Sequence, residues 1–166
     1  MGLDNIPYEY PCRSRGTATL VPVTDKDGNP LMDEGGTRMR IDCSATMKSG
    51  GCPWKEAYES SGLPEGGRAV GMFGTECWYR GKYGEWLLEL LGVDDEDTTF
   101  YGDNEDGTYK SPPSCVALAD SIDERIADRQ TIPDPDGDGD LMPDVRYASW
   151  YLRWAAANCG GLTCWY

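Results

Sequence analysis

Two segments of the chain repeat their apolar residues every three or four positions, the period of a helix with one buried face. In the first, Ser111-Pro112-Pro113-Ser114 is a start signal with proline in the opening turn. Val116, Ala119, Ile122 and Ile126 follow as one apolar stripe, while Asp120, Asp123, Glu124, Arg125 and Asp128 face solvent, so a helix is predicted to about Arg129. In the second, Asp144 to Asn158 carries Trp150, Leu152, Trp154 and Ala155 to Ala157, and Cys159-Gly160-Gly161 stops it. Glu85 to Leu91 reads as a further helix ended by Gly92, and Trp54 to Ser61 as a short one.

The first half has strand character. Thr17 to Val23 reads as a strand, Asp25 to Pro30 as a turn and Arg38 to Cys43 as a returning strand, with Pro22 restricting the first to an edge. Lys48 to Pro53 reads as a second turn and Ala69 to Gly74 as a short buried strand. Residues 1–16, punctuated by Pro7 and Pro11, read as an extended arm laid on the surface, and residues 94–109 and 130–144 as acidic loops. No internal repeat is visible. Strands first and helices later predict an α+β fold: a small antiparallel sheet from the N-terminal half packed with three or four helices, in one domain spanning residues 1–166.

Charge narrows the function. The formal net charge is −14 and the pI about 4.2, which argues against a surface built to neutralise phosphate and so against a direct reader of DNA or RNA. Two acidic roles survive: a mimic of nucleic acid that occupies its binding proteins, and adaptation to high salt, where dense carboxylates hold water. Asp (18) outnumbers Glu (11) and Arg (10) outnumbers Lys (5), a composition that resembles proteins of halophilic archaea and their viruses. No apolar run approaches about 20 residues, the first residues lack the basic and apolar regions of a secretory signal, and Ile6 stands where myristoylation wants Ser or Thr. The expected location is cytoplasmic or inside a virion.

The stretch Asp134 to Asp144 carries the clearest chemistry. Carboxylates at the first, third and fifth positions (Asp134, Asp136, Asp138), Gly139 at the sixth and an apolar Leu141 at the eighth are the opening half of a hard-cation loop. The stretch resembles the calcium loops of EF-hands, dockerins and thrombospondin type 3 repeats. That resemblance implies a calcium ion held by Asp134, Asp136, Asp138 and the backbone carbonyl of Asp140. Val145 stands at the closing position where the family has Glu or Asp, leaving Asp144 as the substitute ligand.

Cysteines and aromatics supply the other candidates. Seven cysteines leave at least one unpaired, and no Cys-x-x-Cys occurs. With no histidine in the chain, a structural zinc would need thiolates, and Cys12, Cys43, Cys52 and Cys77 at turns and strand ends are the set that would converge. Cys159 and Cys164 flank a flexible span that a disulfide would close; the alternative for all is burial as apolar thiols. Cys115 at a helix start is a reactive thiol if its pKa is lowered, and a packed one otherwise. Trp78, Tyr79, Arg80, Lys82, Tyr83 and Trp86 form the densest aromatic and basic patch, suited either to stacking a nucleotide-like anion or to filling the core.

No residue pattern names a reaction. Without histidine the usual base near neutral pH is missing, and no phosphate loop, nucleophile elbow or dinucleotide fingerprint occurs. The expected protein is a non-catalytic binding or assembly protein stabilised by calcium, with a protein partner or copies of itself. The alternatives are a small-ligand module built on Trp78 to Trp86 and an acidic mimic of nucleic acid.

Overall fold

The computed structural model describes residues 4–63, 90–92, 102–134 and 137–165. The fold is α+β, with small antiparallel sheets and five helices among the described residues. Strand β1 (Asp4–Pro7) leads into the single turn α1 (Pro11–Ser14), then β2 (Leu20–Pro22), the hairpin β3 (Met32–Asp33) and β4 (Gly36–Thr37), and β5 (Met39–Ile41). Helices α2 (Cys43–Lys48) and α3 (Pro53–Ser60) follow, and after residue 102 come β6 (Tyr109–Lys110), α4 (Pro112–Ile126), α5 (Met142–Asn158) and β7 (Leu162–Trp165).

The scaffold is the antiparallel pair α4 and α5. Pro112 and Pro113 occupy the first turn of α4, where their missing N–H groups have no helical partner to lose. The helix buries Cys115, Leu118, Ala119 and Ile122. Val116, expected in that stripe, is exposed: the buried face is rotated by about one residue because Cys115 and Leu118 join it. In α5 the buried face carries Val145, Tyr147, Ala148, Tyr151, Leu152 and Ala155. The Ser149 hydroxyl donates to the Ala119 carbonyl across the pair, and Arg153 reaches over to Asp120 and Asp123 at 2.7 and 2.6 Å.

Helix α3 closes one side with an aromatic cluster. Trp54 stacks on Tyr58 with centroids 5.1 Å apart, and Tyr147 and Trp150 meet Tyr58 edge-on at 5.6 Å each. Each such pair contributes about 0.5–1.5 kcal/mol beyond its buried area. Leu90 and Leu91 are helical and buried, and Gly92 follows with a φ of 70°, as the stop signal requires.

The three-stranded sheet has order β1-β7-β6, so one end of the chain is zipped to the other: Asn5 pairs with Cys164 and Pro7 with Leu162. Residues 4–7 are therefore built into the sheet, with Asn5 and Pro7 buried, and do not lie as an arm on the surface. Strand β7 adds a strand that the pattern of the C-terminal half did not suggest. The expected hairpin of the N-terminal half is present as the two-stranded ribbon β2–β5, with Pro22 opposite Met39. The expected strand Ala69 to Gly74 lies outside the described residues.

Candidate binding cleft

Three short segments meet beside the ribbon. Cys12 in α1 accepts backbone N–H bonds from Thr17 and Ala18, turning the chain sharply into β2. The Thr17 hydroxyl donates to Gly51 at 2.6 Å, and a Cβ on Gly51 would stand 2.6 Å from the Thr17 carbonyl oxygen, so only glycine permits this approach. Asp42 caps α2 by accepting from the Ala45 N–H, and the fully buried Thr46 hydroxyl donates to Asp42 and accepts from the Thr19 N–H. These bonds fix α1 and the start of α2 against the ribbon.

The result is a cleft of about 300 Å³ lined by Tyr10, Arg13, Leu20, Met39, Arg40, Ile41 and Cys43. In the β2–β5 register Leu20 faces Ile41 and Pro22 faces Met39, while Val21 faces Arg40. Side chains alternate along a strand, so Leu20, Met39 and Ile41 share one face and Arg40 belongs to the other, edging the cleft. Leu20 and Met39 are 47% and 46% exposed, so the apolar wall is open to a ligand. Arg13 projects from α1 and is exposed. Among the described residues neither Arg13 nor Arg40 has an ion pair, although acids outnumber bases 29 to 15 in the chain.

The acidic loop is ordered by its own backbone. Pro133 and Asp140 form an antiparallel bridge, the Asp134 N–H donates to Gly139 at 3.1 Å, and the Asp134 carboxylate lies over Gly137 and Gly139. The Asp140 carboxylate accepts from the Ile132 N–H at 2.8 Å and the Met142 N–H at 3.0 Å; these two bonds, the Ile132 one foremost, hold its pKa below the usual carboxylate range. Asp144 sits in the first turn of α5, where a carboxylate offsets the unpaired N–H groups. Asp138 is exposed and Asp136 lies outside the described residues. Among the described residues no three His, Cys, Asp or Glu side chains converge to hold a metal ion.

The cysteines are gathered but packed. Cys12 and Cys52 are buried and Cys43 is half-buried; burial first, then the neighbouring Cys52 and Cys43, push the Cys12 thiol up. Cys52 and Cys43 are thus each close enough to Cys12 to influence it, and Cys77 lies outside the described residues. Cys159 and Cys164 are free, buried thiols: Cys159 ends α5 and Cys164 lies in β7, donating to Asn5 at 3.4 Å. The reactive reading of Cys115 is overturned, because burial pushes its pKa up to about 12, the opposite of what a nucleophile at a helix start requires. The patch from Trp78 to Trp86 lies outside the described residues.

Of the cleft residues only Cys43 was singled out from the sequence, and that as a candidate for zinc or a disulfide. The available signal was the alternation Arg38-Met39-Arg40-Ile41, which puts large apolar side chains on one face of a ribbon too small to bury them. Among the described residues no helix is long and apolar enough to cross a membrane. Compared with known proteins, the chain matches no family model, no curated protein and no solved structure.

Proposed function

We propose that this is a non-catalytic binding protein whose ligand site is the cleft between α1 and the β2–β5 ribbon. The observation that carries the reading is an apolar wall of Leu20, Met39 and Ile41 beside Arg13, a guanidinium with no carboxylate partner among the described residues of a strongly acidic chain. Such a wall takes the apolar body of a small molecule, and an unpaired guanidinium takes its anionic end. At about 300 Å³ the cleft is at the small end of ligand sites, so affinities on the order of 0.1–1 mM are expected for ligands of about ten heavy atoms.

This use differs from the nucleotide-like site expected at Trp78 to Trp86 in place, while keeping the class of ligand anionic. Saturation-transfer NMR with AMP, benzoate and octanoate tests it. At least one should receive magnetisation from the wild-type protein and none from Leu20→Asp, whose carboxylate would stand in the apolar wall. Equal transfer in both proteins, or none in either, removes the cleft as the binding site.

A further inference from the structure

Resting on that cleft, we infer that its ligand is an aliphatic carboxylate and not a nucleotide. The wall facing the ligand is made of Leu20, Met39 and Ile41, flexible or branched aliphatic side chains that close around a saturated chain. Tyr10 is the only aromatic ring among the described lining residues, so a planar base would have no second ring to complete a stack. Charge points the same way. Arg13 stands on the α1 side of the cleft, and Arg40, from the other face of the pleat, edges it. A guanidinium pairs with a carboxylate through two parallel N–H donors, and the aliphatic wall leaves the rest of the cleft to a saturated chain.

Leu20 and Met39 are exposed on this face of the ribbon, and an aliphatic chain laid along them would remove that surface from water. The carboxylate is placed at Arg13 and the chain along Leu20, Met39 and Ile41.

The same chemistry has two sources, a free aliphatic acid or the carboxyl-terminal aliphatic residue of a peptide, and calorimetric titration separates them. Octanoate, acetyl-Gly-Gly-Leu, AMP and inorganic phosphate are titrated into the wild-type protein, Arg13→Ala, Arg129→Ala and Met39→Asp. Octanoate or the peptide should bind at least tenfold more tightly than AMP or phosphate, with the tighter of the two naming the source. Arg13→Ala and Met39→Asp should each weaken it about tenfold or more, and Arg129→Ala, at an exposed residue that does not line the cleft, less than threefold. Circular dichroism of each variant shows whether its fold is intact, and Met39→Leu should restore binding. AMP bound through Arg13 with octanoate silent overturns this inference and leaves the cleft standing. Silence of all four overturns both.

Discussion

Gly161 offers a sharp test of how the two ends of the chain are joined. It has a φ of 106°, and a Cβ placed there would overlap the carbonyl oxygen of Lys110 in β6 while lying 3.3 Å from the Lys110 carbonyl carbon and 3.4 Å from Pro112 Cδ. Its neighbour Gly160 has a φ of 65°, and a Cβ there meets nothing nearer than Tyr8 Cδ1 at 3.7 Å. The two alanine variants therefore separate backbone strain from collision. Gly160→Ala should cost only the left-handed conformation, about 1–2 kcal/mol. Gly161→Ala adds a displacement of β6, and with it the Cys164 N–H bond to Thr108 and the ladder between Lys110 and Leu162. With strain of about 1–3 kcal/mol and two backbone bonds at about 1 kcal/mol each, the loss should be about 3–5 kcal/mol. That is a large share of the about 5–15 kcal/mol typical of a domain. Urea unfolding followed by tryptophan fluorescence measures both. Losses equal within about 0.5 kcal/mol would show that β6 does not lie over Gly161 and that the sheet order is wrong.

Three further outcomes are expected. The Asp140 carboxylate has a lowered pKa in the folded chain, chiefly through the Ile132 N–H, so the stability it contributes is present above its unfolded value of about 3.9 and is lost as pH falls through the folded one. Asp140→Asn should accordingly flatten the loss of stability below about pH 4, and an unchanged acid limb in a pH series of urea melts would contradict the two N–H bonds to Asp140. Burial pushes Cys115 up to about 12 and Cys164 up to about 11, and raises Cys159 as well. At pH 8 these three should resist iodoacetamide in the folded protein, and peptide mapping that finds them alkylated before unfolding would refute their packing. The likeness of residues 134–144 to calcium loops predicts a higher melting temperature in calcium than in chelator, abolished by Asp136→Ala with Asp138→Ala; identical melting in both conditions ends the calcium reading.

The long helices were legible because fifteen and seventeen residues carry enough turns for the period to show, and because Pro112 and Pro113 mark the start of α4. Their faces were less legible. On α4 the stripe through Val116 and the one through Cys115 and Leu118 differ by one residue, and the choice depends on treating a cysteine as an apolar side chain. Helix α2 was missed because its cap, Asp42, stands at the end of a segment that reads as strand. Strands β1 and β7 are four residues each and owe their conformation to one another, as in the Asn5–Cys164 pair, so neither has a local pattern to read. The cleft was hidden for the same reason. Tyr10 and Arg13, Leu20, and Met39 to Cys43 come from three segments, and what unites them is the Thr17, Gly51 and Thr46 bonding behind the ribbon.

The most direct test of the central claim is a titration of ¹⁵N-labelled protein with octanoate, read residue by residue in amide correlation spectra. Saturable shifts should concentrate at Tyr10, Arg13, Leu20, Met39, Ile41 and Cys43, the residues that line the cleft, and should vanish in Arg13→Ala. Shifts that map to α4 and α5 would contradict a binding protein organised around the ribbon, and none that saturate would contradict the aliphatic acid as its ligand.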